Sequence, residues 1–249
     1  MAYGAFADVY DALTGNVDYP SRAAYITRLL APYGVRDGLL LDLACGTGSL
    51  SVELSRSGFE VIASDASPEM LTVARDKAAA AGEDILFLCQ RMEETDLFGS
   101  VRAVVCSLDS INHLPDLDAV SRTLKNLVNF LDDGGLIVFD VNTVYKHQQV
   151  LADNTFVYDT GDAFCVWQNH LCPDGRTVDL RLDFFRREGD RYRRGSECFC
   201  ETAFTDDELT RAAENAGYAV RARYAELTED APAADTERVY YVLQLVRRA

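Results

Sequence analysis

Apolar positions along the chain follow two different rhythms. Between residues 38 and 142, short continuous apolar runs alternate with segments whose apolar positions recur at helical spacing. The runs are "GLLLDLA" (38–44), "FEVIASD" (59–65), "DILFLCQ" (84–90), "RAVVCSL" (102–108) and "GLIVFDVN" (135–142). Each reads as a parallel strand covered on both faces. The helical segments carry their own boundary signals. One runs from Ser49 and closes at Ser57-Gly58. "SPEMLTVARDKAAAAG" opens on Ser67 as N-cap with Pro68 at its first position and ends at Gly82. "DLDAVSRTLKNLVNFL" (116–131) precedes the fifth run and is closed by the turn "DDGG". The opening segment, residues 5 to 33, also reads as helical and ends in Gly34.

From about residue 155 the rhythm shortens. "FCVWQNHLC" (164–172), "TVDLRLDFF" (177–185) and "YRRGSECFCETAF" (192–204) are separated by the turn signals "PDG" and "EGD". Val178, Leu180, Leu182 and Phe184 alternate with Asp179, Arg181 and Asp183, the period of a half-solvated antiparallel sheet. A helix then resumes in "TDDELTRAAENAG", where Thr205 and Glu208 stand at capping-box spacing. Two last strands, about 219–226 and 238–247, form a closing hairpin. The prediction is an α/β chain: a Rossmann-like, doubly wound, mostly parallel seven-stranded sheet with an inserted small antiparallel sheet. Residues 1–150 and 203–249 make the core, with a helical cover over 1–35, and 151–202 form an antiparallel insertion acting as lid or platform.

Composition narrows the function. The chain has 249 residues, 48% of them hydrophobic, enough to bury a sizeable core, and a net charge of -16. That charge repels a polyphosphate backbone and argues against a nucleic-acid partner. "RREGDRYRR" (186–194), the one basic stretch, reads as a charged hairpin tip. No basic segment leads into an apolar run at the start, and no apolar stretch is long enough to span a bilayer, so no membrane partner and a cytoplasmic location are expected. Seven cysteines stand at 45, 89, 106, 165, 172, 198 and 200. They read as reduced and buried, and "CFC" lacks the spacing of zinc ligands, so no metal is expected.

The chemistry sits at the strand ends, where ligands bind in open α/β sheets. Asp42 closes the first strand, and "CGTG" (45–48) turns toward a helix. Gly46 and Gly48 permit dihedrals and close approaches that a Cβ blocks. The loop has no lysine after its glycines, as a phosphate-binding loop requires, and Ser51 stands where a dinucleotide fingerprint needs a third glycine. Asp65 ends the second strand nineteen positions after Gly46, where an acid meets ribose hydroxyls in this architecture.

"LDLACGTG", Asp65, "SPEML", "QRME" and "LDDGGLIVFDV" together resemble the class I S-adenosylmethionine-dependent methyltransferases. "FADVYDALTGNVDY" and the interrupted sheet are similar to the bacterial small-molecule members that include amino-sugar N-methyltransferases. The resemblance implies S-adenosylmethionine as cofactor and assigns roles. Asp42 anchors the methionine amino group, directly or through water, and Ala44 and Gly46 offer backbone contacts. Asp65 holds the ribose, Ala66 and Met70 pack the adenine, and Met92 presents a backbone N–H and apolar surface to it. Leu108 lines the methionine side, and Tyr10 and Tyr19 contact the methionine carboxylate or the methyl region. Relatives often carry an acid before the methionine of the third motif. Arg91 stands there instead, and Gln90 is the substitute for adenine recognition.

The acceptor side falls on "CSLDSINHLPD" (106–116), which offers Asp109, Asn112 and His113. His113 is a base candidate near neutral pH or, alternatively, a helix-packing residue. His147, in a polar loop, and His170, in the antiparallel block, are weaker candidates. Trp167, Phe164, Phe184 and Phe199 form the core of the small sheet or an apolar floor for substrate, and Glu197 or Glu201 greets an amine. The expected function is methyl transfer to a small molecule at an amine or hydroxyl. A non-catalytic cofactor-binding sensor or assembly module is the alternative.

Overall fold

The computed structural model describes residues 7–246; the ends of the expected core ranges, 1–6 and 247–249, lie outside the described residues. Helices α1 (Ala7–Leu13) and α2 (Tyr19–Leu30) precede β1 (Gly38–Leu43), α3 (Ser49–Arg56), β2 (Phe59–Asp65), α4 (Pro68–Ala81) and β3 (Leu86–Cys89). Then come β4 (Val101–Cys106), α5 (Leu117–Leu127) and β5 (Leu131–Asn142). The insertion supplies β6 (Thr155–Asp159), β7 (Ala163–Leu171), β8 (Thr177–Glu188) and β9 (Arg191–Thr202), and the chain closes with α6 (Asp206–Asn215), β10 (Tyr218–Ala225) and β11 (Arg238–Leu245).

The large sheet has the order β10-β11-β5-β4-β1-β2-β3. β1 to β5 pair in parallel, and β11 runs antiparallel to both β5 and β10. Strand parity explains the continuous apolar runs. Leu136 and Val138 face the cluster built with α2, α3 and α4, while Ile137, Phe139 and Val141 face the one built with α5 and α6. Both faces are buried, so no polar alternation survives. The helix signals hold where the side chains supply the caps. Ser67 Oγ accepts from Met70 N at 3.2 Å, Gly82 ends α4 in the left-handed region, and Thr205 and Glu208 form a complete capping box.

Three expectations are corrected. The helical segment over 5–33 is split at residues 14–18, because Asp18 accepts from Ser21 N at 3.0 Å and starts a new helix there. "DDGG" does not close α5 as a separate turn but lies within β5. The register jumps from Val101–Leu131 to Ala103–Leu136, so these residues bulge out of a strand that continues on both sides. The cysteines are all free, but Cys89, Cys198 and Cys200 are exposed rather than buried. Cys89 lies on the edge strand β3, and the other two occupy the outward parity of β9.

The insertion is a four-stranded sheet, β6-β7-β8-β9, and so has one strand more than the sequence pattern marked. Its turns fall at "PDG" and "EGD", and the basic stretch 186–194 is indeed a hairpin tip. Cys165, Val178, Leu180, Leu182 and Phe184 line its inner face and pack with Ala7, Met70 and Leu151. This sheet therefore roofs α1 and the start of α4, above the carboxyl ends of β1 and β4. Among the described residues no helix is long and apolar enough to cross a membrane.

Candidate active site

β1 and β4 are neighbours, and the strand order reverses between them, so their carboxyl ends bound the crevice of a topological switch point. The turn after β1 holds three left-handed residues: Ala44 (φ 60°), Gly46 (φ 55°) and Gly48 (φ 73°). The two glycines do different things. A Cβ on Gly48 would stand 2.9 Å from Ala74 Cβ, so that glycine lets the loop press against α4. A Cβ on Gly46 would meet nothing within 4 Å, which leaves an open cradle over the backbone.

Two acids frame the cradle. Asp65 accepts from Gly46 N at 2.9 Å with one oxygen and from Ser67 N at 2.8 Å with the other. Burial raises its pKa, and these two N–H bonds oppose the rise. Asp42 is turned inward, 2% exposed, and accepts from Ser51 Oγ at 2.5 Å. Burial is the main cause that lifts its pKa to about 7, against the Ser51 bond. Ser51, which breaks the dinucleotide fingerprint, is thus the partner of the buried acid. Above the loop, Asp11 of α1 accepts from Thr47 Oγ1 at 2.6 Å and pairs with Lys77 of α4 at 2.7 Å, which latches the N-terminal cover across the crevice. An open backbone cradle between two acids, with no base contributed by the loop, fits a flat, cationic nucleoside.

The adenine-side candidates divide. Ala66 is exposed at the mouth of the loop. Met70 is 3% exposed and packs into the apolar cluster beneath the insertion. Met92 starts a 3₁₀ turn, with its sulfur 3.9 Å from Cys106 Sγ. The Gln90 side chain is turned to the loop that follows it. Its amide nitrogen donates to Asp96 O at 2.9 Å and its amide oxygen accepts from Asp96 N at 3.1 Å, so both ends fasten the following loop. Arg91 points to Glu93 at 3.0 Å.

The turn after β4 is the second strained element. Leu108 (φ 57°) and Asp109 (φ 53°) are consecutive left-handed non-glycine residues, a conformation costing on the order of 1 kcal/mol or more at each. Asp140, fully buried at the end of β5, holds it. Asp140 accepts from Ser107 Oγ at 2.8 Å, Leu108 N at 2.8 Å and Asp109 N at 3.0 Å. Arg238, at the start of β11, also donates to Asp140, reaches Asp109 at 2.6 Å and lies 3.4 Å from Glu226. Sequence reasoning missed both residues. The available signals were an acid inside the apolar run "LIVFDVN" and an arginine opening the apolar strand "RVYYVLQL".

Asp109, His113 and Glu201 converge, one ligand-type atom of each lying within 4.8 Å of the other two. His113 Nε2 is 3.9 Å from Glu201 Oε1, and its ring leans on Phe199 with centroids 5.2 Å apart. Burial lowers the His113 pKa, while Asp109 and Asp65 pull it back. Glu201 is 4% exposed, and burial followed by the charge of Asp109 lifts its pKa to about 8. His147, read as a loop residue, is fully buried in a π-helical segment, Lys146–Leu151, with Nε2 3.9 Å from Glu201 Oε2. Tyr10 is set among Tyr19, Asp109, Asp11 and Asp65; burial and then these charges raise the pKa of its hydroxyl. Burial also raises that of Tyr19.

Other candidates fall away from this centre. Asn112 is structural, donating to Asn142 O and Thr202 O at 3.0 Å each and accepting from Asn142 N at 2.9 Å. His170 is exposed beside Asp153. Phe184, Trp167 and Phe199 belong to the inner face of the insertion, whereas Phe164 has the opposite parity and pairs with Phe185 on the outer one. Glu197 shares the inner parity, half-buried and opposite Leu182.

Comparison with known proteins agrees with this geometry. Residues 40–135 match the model of a methyltransferase domain. A Bacillus subtilis protein designated the methyltransferase YqeM is 34% identical over 98% of this chain and 97% of its own length. A crystal structure of an S-adenosylmethionine-dependent methyltransferase from Clostridium acetobutylicum is 31% identical, covers 98% of both chains and superposes with a TM-score of 0.88. An amino pentose methyltransferase of Micromonospora echinaspora shares the fold at 18% identity, with 98% of each chain covered and a TM-score of 0.76. With the cofactor cradle, the switch-point crevice and these full-length relatives in agreement, the chain belongs to the class I S-adenosylmethionine-dependent methyltransferases.

Proposed function

We propose that this enzyme methylates a small molecule, at an amine nitrogen or a hydroxyl oxygen, in the pocket of Asp109, His113 and Glu201. The observation that carries this reading is the convergence of those three side chains from the turn after β4 and from β9 of the insertion. A roofed, acid-lined pocket suits a small acceptor, and the net charge of -16 runs against a nucleic acid. The fold-level likeness to an amino pentose methyltransferase is in line with this reading.

In the proposed arrangement Asp65 holds the ribose, Ala44 and Gly46 present backbone to the methionyl and sugar parts, and Ala66, Met70 and Met92 flank the adenine. Asp42 acts from beneath the loop, its negative field favouring a cationic ligand. Leu108, Tyr10 and Tyr19 line the methionine side. When bound, S-adenosylmethionine supplies a methyl group activated by its sulfonium. The remaining work of the chain is alignment, worth at most about 7–11 kcal/mol, and acceptance of a proton. Asp109, fixed by Arg238, orients the acceptor. His113, kept neutral by burial, is the group placed to take the proton, with Glu201 3.9 Å from its Nε2.

The test is calorimetric titration of S-adenosylmethionine followed by mass-spectrometric screening of amines and phenols for methylation. Turnover of a small acceptor that falls by about 100-fold or more in His113→Asn or Glu201→Gln supports the reading. Cofactor binding with unchanged turnover in both variants moves the acceptor elsewhere.

A further inference from the structure

The acceptor pocket has a donor set that methyl transfer alone does not require. Asp109, His113 and Glu201 offer one oxygen, one nitrogen and one oxygen, no two more than 4.8 Å apart. Three donors about 2.1 Å from one ion in a tetrahedral array stand about 3.4 Å apart, so a contraction of about an ångström closes this set. Asp109 gives Oδ1 to Arg238 at 2.6 Å.

An independent observation comes from His147. Its Nδ1 lies 2.7 Å from the carbonyl oxygen of Arg176, which can only accept, so Nδ1 carries the proton. That leaves Nε2 as a lone pair. It is fully buried, has no hydrogen-bond partner, and stands 3.9 Å from Glu201 Oε2, too far for a hydrogen bond. A buried imidazole held through Nδ1–H by a backbone carbonyl, with Nε2 bare and aimed at a carboxylate, is how metal-ligating histidines are oriented.

The neighbouring cations do not occupy the set. Arg22 and Arg238 hold Glu226, Asp109 and Asp140, Lys146 Nζ donates to Asn142 Oδ1 at 3.0 Å, and the ion-pair distances of Glu201 run to His113 and His147.

We propose that Asp109, His113 and Glu201 form a binding site for a divalent transition-metal cation, with the bare Nε2 of His147 at the other oxygen of the Glu201 carboxylate. A mixed set of imidazoles and carboxylates suits manganese, iron, cobalt or zinc better than magnesium or calcium. The ligands come from the turn after β4 and from β9, so the ion ties the insertion to the core. If the pocket is also the methyl-acceptor site, which rests on the reading above, the open coordination position selects acceptors bearing a ligating oxygen.

Cobalt(II) is the probe, because it separates this site from the exposed cysteines. Protein stripped with EDTA and dialysed is titrated with cobalt chloride, followed by equilibrium dialysis and visible absorption. The expected result is one cobalt per chain with weak visible bands and no intense near-ultraviolet thiolate band. Affinity falls at least about 10- to 100-fold in Glu201→Gln and in His113→Asn, with unchanged circular dichroism and S-adenosylmethionine affinity showing that each variant folds. No stoichiometric binding, a thiolate spectrum, or parent-like affinity in both variants overturns the site. Cofactor titration of the same samples reports separately on the methyltransferase reading.

Discussion

Arg238 reaches Asp109 across 2.6 Å and so links the last strand of the sheet to the strained turn at the end of β4. The same guanidinium serves Asp140, the acid that holds that turn from below. One side chain thus neutralises the acid facing the pocket and the acid beneath the backbone. Arg238→Met leaves both carboxylates buried without their cation. The expected cost is about 3–5 kcal/mol of folding stability, read as a lower denaturant midpoint, with turnover lost even in the folded fraction. Arg238→Lys keeps the charge but not the fork, and should recover stability better than activity.

The two glycines of the cofactor loop should separate stability from binding. Gly48→Ala drives a methyl group to 2.9 Å from Ala74 Cβ at a left-handed residue, and should cost about 2–4 kcal/mol, seen as a fall in Tm. Gly46→Ala meets no atom within 4 Å and pays only the left-handed backbone, about 1–2 kcal/mol. Its methyl group projects into the cradle, so S-adenosylmethionine affinity should fall at least about tenfold, by analogy with a core overpacked by one methyl. Equal effects of both variants on calorimetric affinity would show that the cradle is not the ligand surface.

Asp65 couples loop geometry to the proposed ribose contact, since its two oxygens accept from Gly46 N and Ser67 N. Asp65→Asn replaces one acceptor by a donor that faces one of those N–H groups. Loss of a charged hydrogen bond is worth about 1.5–3 kcal/mol, so the dissociation constant for S-adenosylmethionine should rise roughly 10- to 150-fold in calorimetry. A variant that binds as tightly as the parent would remove Asp65 from the cofactor site.

What the sequence revealed and what it hid follow from locality. The geometry of the turn after β1 was legible because Asp42, Gly46, Gly48 and Asp65 belong to one strand–helix–strand unit, whose spacing is set by covalent geometry. Caps such as Ser67 and Thr205 were legible for the same reason. The acceptor pocket was not. His113 and Glu201 lie 88 positions apart, and their meeting depends on how the insertion folds back over β4. His147 read as a polar loop residue because its segment adopts a π-helix, which has no amphipathic signature, and only its tertiary setting buries it. The paired hydrogen bonds of the Gln90 amide to Asp96 were hidden as well, because a sequence does not show how a loop will engage both ends of an amide.

The last prediction uses Glu201 as its own reporter. Its pKa stands at about 8 in the folded chain against an ordinary value of 4.5. Between those values the folded state holds a proton that the unfolded state has released. Stability therefore falls as pH rises through this window, and the loss is complete above about pH 8. Glu201→Gln keeps an oxygen to accept from Asn142 Nδ2, a bond of 3.2 Å in the parent, but does not titrate. With EDTA present to keep cations out, the Tm of the variant minus that of the parent should be more positive at pH 8.5 than at pH 5.5. Asp42, whose pKa of about 7 gives a similar slope, is common to both proteins and cancels in the difference. Parallel stability curves across this range would mean that Glu201 is ionised in the folded pocket, with a cation other than the ones identified here beside it.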